Sequence, residues 1–325
     1  MIGATIGLGC RAALAGFGAM QRRLSVVLFH RVLEEADPYR TGDPTREQFD
    51  AIVGWLADAF RVMTVAEASQ ALAESRLPAR ALCITFDDGY ADNLKYAVPI
   101  LQHHGVRATI FCTTAYLDGT VMWNDATIEA LRAWPDDDID WREYELGLHV
   151  GRGERPQLAP TILNQLKYRE QNERDEIAAK LAQQAGANTA HLMLNPDGVR
   201  ALTAQGMEVG GHTHRHPILT RLDSQTANRE IADNKTQLES LLDAEVVSFA
   251  YPNGRPGRDF AREHTEMVAA AGYRSALTTA PGTATAAQDP FELPRFTPWE
   301  RDCGRFMARM LQNYFRSPTD SAHTT

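Results

Sequence analysis

The chain has 325 residues, which is enough for a sizeable core and for one large α/β domain that carries an insertion. Hydrophobic residues make up 44% of it, an ordinary share for a soluble globular protein. The formal net charge of −9 argues against nucleic acid or an anionic membrane surface as the main partner. The four cysteines include no pair with metal-binding or redox spacing, which suits a reducing compartment.

Residues 2–20 are apolar and rich in glycine and alanine, but they lack the order of a secretory signal. Arg11 interrupts the run and two arginines follow it, whereas a signal peptide carries its positive charge before the apolar segment. The run is also too broken for a spanning helix of about 20 apolar residues. We therefore predict that the N-terminal segment, residues 1–23, packs on the domain in preference to a membrane surface. The predicted location is the cytoplasm, with peripheral membrane association as the alternative.

Strand and helix patterns alternate from residue 24 onwards, which favours a mostly parallel α/β sheet or barrel. The predicted strands cover residues 25–30, 60–63, 82–86, 108–112, 207–211, 246–251 and 275–278, with a last core segment at 292–295. The predicted helices cover residues 44–59, 65–74, 93–104, 196–205, 222–242, 260–271 and 305–315.

The alternation breaks between residues 118 and 195. This part contains a helix at 126–133, an acidic run at 136–138, an alternating stretch at 139–150 and a polar helical stretch at 160–185. We interpret 118–195 as a mainly helical insertion in a domain that spans residues 24–317, followed by a disordered tail at 318–325. Insertions on the βα loops of barrels commonly shape the active site.

Two short motifs carry the chemistry. The apolar run 82–86 ends in Asp87, Asp88 and a glycine, and two carboxylates at the end of a buried strand need partners because unpaired buried charge is costly. His212 and His216 supply such partners. One carboxylate and two imidazoles form a three-ligand set for a divalent ion such as zinc, and the other carboxylate is then free to act as a base. The pattern predicts a metal-dependent hydrolase, whereas a turn with helix-capping carboxylates would leave the histidine pair unexplained.

These motifs resemble those of a known family. TFDDGY at 85–90 and HTxxHP at 212–217 are similar to the first two motifs of the polysaccharide deacetylases (the NodB-homology domain, carbohydrate esterase family 4), and FAYPNG at 249–254 resembles a variant of the third. The resemblance covers roughly residues 24–118 and 196–300. It implies a distorted (β/α) TIM-like barrel of the NodB type, with the metal at the carboxyl ends of the strands.

The resemblance also implies a set of roles. Asp88, His212 and His216 would bind the metal, and Asp87 would be the base that deprotonates the attacking water. The ion would be zinc, with cobalt, nickel or manganese as alternatives. The implied reaction removes N-acetyl groups from amino sugars of a polysaccharide or glycan precursor.

The chain departs from the family pattern in two places. The third motif usually carries an arginine that pairs with the base, but Ala250 stands there, and we predict that Arg295 replaces it. The alternative for Arg295 is a surface salt bridge. The C-terminal Leu-His-Asp motif, whose histidine is the general acid, is absent. His30 is the predicted substitute, and its place at the end of the first strand resembles poly-N-acetylglucosamine deacetylases with rearranged motifs. The alternative is a core histidine or one that only supports the residues of the site.

Four further residues are predicted to contact substrate. The backbone N–H of Tyr90 is a candidate oxyanion donor, and Tyr251 and Asn253 follow a strand end and would line the pocket. Trp123 could stack on a sugar ring, although packing of the insertion on the core is the slightly preferred interpretation.

Two other functions remain open at this stage. The same fold and metal could hydrolyse a different amide, such as a formyl or cyclic amide. The chain could also be a non-catalytic carbohydrate-binding relative, although its intact base and ligands argue against this. The sequence does not specify an oligomeric state.

Overall fold

The computed structural model describes residues 11–17, 21–135, 138–140, 149–297 and 299–316. Seven of its strands form one sheet in which every neighbouring pair is parallel, with the spatial order β1-β3-β4-β7-β8-β9 and with β2 also pairing with β3. The strands are β1 (Leu24–Phe29), β2 (Arg61–Met63), β3 (Ala81–Phe86), β4 (Thr109–Cys112), β5 (Asp138–Asp140), β6 (His149–Gly151), β7 (Glu208–Gly211), β8 (Ser248–Ala250) and β9 (Ser275–Leu277).

The sheet curls until residues 293–296 link its two edges. Leu293 pairs with Leu277 of β9, and Phe296 pairs with Val27 of β1, both in parallel. One segment therefore lies between the last strand and the first. This closure confirms the predicted distorted (β/α) barrel and explains why residues 292–295 read as a core segment.

Helices cover the outside of the barrel. They are α1 (Arg46–Ala59), α2 (Val65–Ala73), α3 (Val98–His103), α7 (Pro196–Ala204), α8 (Ser224–Leu242), α9 (Arg262–Ala270) and α10 (Cys303–Tyr314). The insertion contributes α4 (Trp123–Ala133), α5 (Arg155–Lys167) and α6 (Gln171–Ala185). Thr45 and Thr64 begin α1 and α2 with capping boxes, in which each hydroxyl accepts a backbone N–H. These caps fix where the first two helices begin.

The predicted helix over residues 93–104 is divided in two. Asn93–Ala97 forms a π-helical turn, and α3 follows it. The side-chain amide of Asn93 donates to the carbonyl oxygen of His30 at 2.9 Å. π-helical turns often occur at functional sites. This turn is bonded to His30, directly after β1, and therefore indicates that the end of β1 belongs to a functional site.

The insertion has its own small core. α4, α5 and α6 pack around a buried cluster in which Leu131, Leu166 and Leu181 take part. The predicted polar helix at 160–185 is two helices, and the Glu170 carboxylate caps the second of them. The two described ends of the alternating stretch pair in antiparallel as β5 and β6, while residues 136, 137 and 141–148 lie outside the described residues.

Residues 11–17 and 21–23 of the N-terminal segment are described, and residues 11–17 are helical and pack on the barrel domain. Leu14 is buried in the main core, Arg11 pairs with Asp58 of α1, and Phe17 meets Phe315 edge-on. Packing was the preferred prediction for this segment, and these contacts support it for residues 11–17. Within the described ranges no helix is long and apolar enough to cross a membrane. The predictions for residues 1–10 and for the tail 318–325 lie outside those ranges.

Candidate active site

Two carboxylates stand where β3 ends. The backbone N–H of Asp87 still donates to Phe29 of β1, and the chain then turns at Asp88 and Gly89, which have φ angles of 78° and 84°. Gly89 is needed here, since a Cβ atom at this position would lie 3.2 Å from the Cys112 sulfur in an already strained backbone. The turn directs both carboxylates to the carboxyl end of the barrel.

Two imidazoles meet Asp88 from the neighbouring loop. Its Oδ1 atom lies 3.4 Å from Nε2 of His212 and 3.3 Å from Nε2 of His216. This oxygen is buried and accepts no hydrogen bond from a described residue. His212 directs its other nitrogen, Nδ1, to the carbonyl oxygen of Ala250 at 2.7 Å. That contact fixes the tautomer and leaves Nε2 free for a ligand.

The loop that carries the histidines is held by tight local bonds. Thr213 and His216 adopt positive φ angles of 63° and 57°. The Thr213 hydroxyl accepts the backbone N–H of His216 at 3.0 Å. This turn brings two residues that are four positions apart onto the same oxygen of Asp88.

Asp88, His212 and His216 therefore form a site of the right kind for a divalent metal. One ligand atom from each residue lies within 4.8 Å of the others. The donor set is one carboxylate and two imidazoles, the type that zinc favours. A buried carboxylate oxygen without a hydrogen bond is costly, and a bound cation would remove that cost. The side chains of these three residues therefore fit a divalent metal ion.

The environment shifts the protonation of these ligands in different directions. Burial lowers the pKa of His216 to about 4, although the Asp88 carboxylate opposes this effect. Burial alone would also lower the pKa of His212, but Asp87 and Asp88 outweigh it and raise that pKa above its ordinary value. Burial would raise the pKa of Asp88, yet His216 and His212 hold it well below the usual range. Asp88 is therefore an anion at any working pH.

Asp87 forms an ion pair with Arg295. This arginine lies in the segment 293–296, which closes the barrel. The two oxygens of Asp87 accept from Nη1 and Nη2 of Arg295 at 2.7 and 2.9 Å, and Nε of Arg295 donates to the Thr278 carbonyl at 3.0 Å. Both side chains are buried, so the surface salt bridge considered for Arg295 does not describe it. Burial raises the pKa of Asp87, but Arg295 and then His212 overcome this and lower it.

His30 follows β1 and lies at the same end of the barrel. Its side chain is exposed and lines the cleft that holds Asp87 and Asp88. The charge of a protonated His30 contributes to lowering the pKa of both carboxylates, although it is not the largest cause for either. The imidazole therefore shares the cleft with the carboxylate pair, and the alternative of a core histidine does not fit its exposure.

Three of the four predicted substrate residues line this cleft, whose volume is about 740 Å³. Tyr90 lies on its floor, where its hydroxyl donates to Asp125 at 2.9 Å and its N–H donates to no described acceptor. Asn253 lies in a left-handed turn at the rim, with a φ angle of 59°. Trp123 is partly buried, and its ring packs with the insertion 4.8 Å from the Arg174 guanidinium, so cleft lining and packing coincide.

Tyr251 is placed differently from the prediction. Its side chain is fully buried, stacks on Phe260 at 3.8 Å and donates its hydroxyl hydrogen to the Phe291 carbonyl at 3.1 Å. It points into the packing between β8 and the outer layer instead of the cleft. The prediction that Tyr251 contacts substrate is therefore wrong, because the strand register directs this side chain away from the cleft and into the packed core.

Asn234 of α8 is important to the site and was missed in the sequence. Its Oδ1 accepts the backbone N–H of His212 at 3.1 Å, and its Nδ2 donates to the backbone carbonyls of Thr213 and Cys112 at 2.7 and 3.0 Å. It thus ties the histidine loop to β4. The signal was available, since Asn234 shares the buried face of α8 with Ile231 and Leu238.

Trp299 was also missed. It lines the rim of the cleft, and its side chain is 60% exposed. An exposed aromatic ring beside a polar cleft is suited to stacking on a sugar face.

Comparison with known proteins gives a consistent result. A sequence model of the family described as polysaccharide deacetylase matches residues 74–276. The protein YxkH of Bacillus subtilis (strain 168) is 22% identical over 275 residues, covering 84% of this chain and 70% of that protein.

Solved structures show the same fold. The Streptococcus pyogenes deacetylase PplD, in complex with acetate, superposes with a TM-score of 0.60 at 19% identity, over 89% of this chain and 98% of that one. IcaB from Ammonifex degensii gives a TM-score of 0.55 at 18% identity, over 89% of this chain and 97% of that one. At these identities the likeness concerns the fold alone. His30 and Arg295 both lie outside the range that the family model matches.

Proposed function

Because the chain belongs to the polysaccharide deacetylase family, we propose that it removes N-acetyl groups from amino sugars of a polysaccharide or glycan precursor in a metal-dependent hydrolysis. The observation that carries this proposal is the buried Oδ1 atom of Asp88, which has no hydrogen bond and lies between His212 and His216. Next to it stands a second carboxylate, Asp87, fixed by a separate partner. One acid is thus arranged as a ligand and the other as a base.

Asp88, His212 and His216 would hold the ion, with zinc preferred and cobalt, nickel or manganese as alternatives. A divalent ion bound there would supply Lewis-acid chemistry, polarising the acetamido carbonyl and lowering the pKa of a water molecule. The chain's own residues would move the protons. Asp87 would accept the proton of the attacking water, which requires it to be ionised, and Arg295 favours that state.

Two further groups would complete the reaction. The backbone N–H of Tyr90 has no acceptor among the described residues and would donate to the oxyanion that forms on the carbonyl carbon. His30 would donate a proton to the amide nitrogen as the C–N bond breaks, so that acetate and a neutral amine leave. Asn253 and Trp123 at the cleft wall would position the sugar.

The proposal is tested by acetate release from short N-acetylglucosamine oligomers. Chelator-stripped protein is assayed with and without added zinc, with the Asp87→Asn variant as the control. We expect zinc-dependent release that the substitution abolishes. Absence of release from a protein that still binds one metal tightly would favour another amide, such as a formyl or cyclic one. Absence of both release and metal binding would favour a non-catalytic carbohydrate-binding role.

A further inference from the structure

The cleft is rich in positive charge although the whole chain carries a formal net charge of −9. Four of its cations are buried and already paired with carboxylates. These are Arg31, Arg40, Arg174 and Arg295. Their charges are neutralised within the protein, so they do not by themselves recognise a ligand.

Lys167 and Arg255 differ from those four. Lys167 lies in the last turn of α5 in the insertion, and Arg255 follows the turn after β8, so that two separate elements bring them to the same cleft. In the part of the chain that the structure describes, neither side chain has a carboxylate within ion-pair distance. Arg255 is exposed, whereas Lys167 is partly buried. Both ammonium and guanidinium groups are therefore available to a ligand.

Neighbouring residues add further positive charge around Lys167. Burial lowers the pKa of Lys167 and the Asp259 carboxylate opposes this effect, while the positive charges of Arg255 and Arg258 lower the pKa further by smaller amounts. One oxygen of the Asp259 carboxylate accepts the backbone N–H of Arg255 at 3.0 Å. Arg258 in turn donates to the Tyr168 hydroxyl at 2.5 Å. Three cations thus lie near one acid, and this excess of positive charge around a partly buried lysine favours an anion.

Residues of α10 and of the segment just after it add further positive charge to the cleft. Arg309, Gln312 and Asn313 lie at helical spacing on one face of α10, and Arg316 follows just after the helix ends; all four line the cleft. Arg309 lies 3.5 Å from Glu300, and Arg316 has no carboxylate within ion-pair distance among the described residues. A ligand in the cleft would therefore meet positive charge from this part of the chain as well as from Lys167 and Arg255.

We propose that the substrate is an acidic glycan, in which the acetamido sugar is joined to a unit bearing a carboxylate or phosphate, and that Lys167 and Arg255 bind this anion. The inference rests on the proposed function, because it assigns the same cleft to the same reaction. Guanidinium and ammonium groups both bind carboxylate and phosphate oxygens through charge-assisted hydrogen bonds. The two sources of the anion share this chemistry and are separated by the test.

The test compares three probes with the zinc-loaded protein. They are neutral di-N-acetylchitobiose, a disaccharide of N-acetylglucosamine and glucuronate, and N-acetylglucosamine 1-phosphate. We expect kcat/KM to be higher for at least one anionic probe and to fall with added salt for that probe alone. The Lys167→Ala/Arg255→Ala double variant should reduce the ratio of anionic to neutral kcat/KM by at least about fivefold, since both charge-assisted contacts are lost. If the glucuronate probe loses its higher kcat/KM in the double variant, the bound anion is a carboxylate; if the 1-phosphate probe does, it is a phosphate.

The matched control is Arg229→Ala/Arg262→Ala, which removes two positive charges from exposed helix positions outside the cleft. It should leave the ratio unchanged. Equilibrium binding of the same probes to the Asp87→Asn variant gives a second readout that does not need turnover. Equal treatment of neutral and anionic probes by the wild type, or an unchanged ratio in the double variant, would overturn the inference while acetate release still upheld the proposed function. An anion preference in binding without any acetate release would instead uphold the anion site and contradict the deacetylase.

Discussion

Arg295 and Asp87 are 208 residues apart in the sequence and form a buried bidentate ion pair, with N–O distances of 2.7 and 2.9 Å. Arg295 lies in the segment that joins the last strand to the first, and Asp87 lies at the end of β3. The closure of the barrel and the position of the base therefore depend on the same residue. Removing either partner leaves an unpaired buried charge, which explains why the pair is a strong structural constraint.

Replacing Arg295 should affect both stability and the acidic side of the pH profile. Asp87 must be ionised to accept a proton, and with Arg295 present its pKa lies below the ordinary value of 3.8. Without Arg295, burial dominates and the pKa rises, so the decline of kcat/KM at low pH should move to higher pH. The carboxylate's contribution to stability, which is present above its unfolded pKa and lost as pH falls through its folded pKa, should shrink at neutral pH.

Arg295→Ala should thus lower the free energy of unfolding by about 3–5 kcal/mol. Arg295→Lys keeps the charge but loses the two-pronged geometry, so its effect should be smaller. Denaturant unfolding and the pH dependence of kcat/KM check both variants. An unchanged acidic limb in Arg295→Lys and Arg295→Ala would show that Arg295 does not control Asp87.

His30 should matter for poor leaving groups only. Protonation of the departing nitrogen is needed for an amine but not for a phenolate, so His30→Ala should lower kcat for N-acetylglucosamine oligomers by about 10²-fold. Hydrolysis of p-nitrophenyl acetate should be nearly unaffected. His103→Ala, in a helix outside the cleft, is the matched control. Equal losses on the amide and the ester would contradict a general-acid role and point to a structural one.

Zinc binding should release one proton across the mildly acidic range. In the metal-free protein the pKa of His216 is about 4, whereas that of His212 lies above its ordinary 6.5. Between about pH 4.5 and about pH 6, only His212 should carry a proton that zinc must displace. Zinc affinity, measured by competition with a chelator, should fall about tenfold for each unit of decreasing pH. A slope of two protons would show that both imidazoles are charged there.

Asn234 should stabilise the fold and the metal site together. Asn234→Ala removes the acceptor of the His212 N–H and the donor to Thr213 and Cys112, which leaves buried polar groups unpaired. We expect a loss of about 2–4 kcal/mol in the free energy of unfolding and weaker zinc binding. Tyr273→Phe deletes only the bond from the Tyr273 hydroxyl to Asn234, so it should cost less and leave zinc affinity unchanged. Equal zinc affinities in all three proteins would show that Asn234 does not position His212.

The strands and the metal-site motifs could be predicted because each has a local signature. Apolar runs of four to six residues are the strands of a buried parallel sheet, and two carboxylates after such a run cannot be a solvated turn without partners. The sequence indicates that residues 292–295 belong to the core, and it offers Arg295 as the partner of Asp87 because Ala250 stands where the family usually has an arginine. These predictions depend on residues whose neighbours in sequence are also their neighbours in space, or on a family resemblance.

The remaining features depend on contacts between distant segments. Tyr251 follows a strand end as Asn253 does, but strand register and the stacking on Phe260 bury its side chain. The break between α5 and α6 has no glycine or proline to mark it, so it could not be read from the sequence. The basic character of the cleft arises only when Lys167 and Arg255, which are 88 positions apart, meet at one wall. Charge composition alone gave the opposite impression, because the whole chain is acidic.

The most direct test of the central claim is a zinc titration of chelator-stripped protein, in which acetate and free amine are quantified together. We predict that both products form in equal amounts and that the rate saturates at one zinc per chain. Asp88→Asn and His216→Gln should fail to reach this rate at the same zinc concentration. Product formation that persists in the presence of chelator, or saturation that does not depend on Asp88 and His216, would contradict the proposed metal-dependent deacetylase.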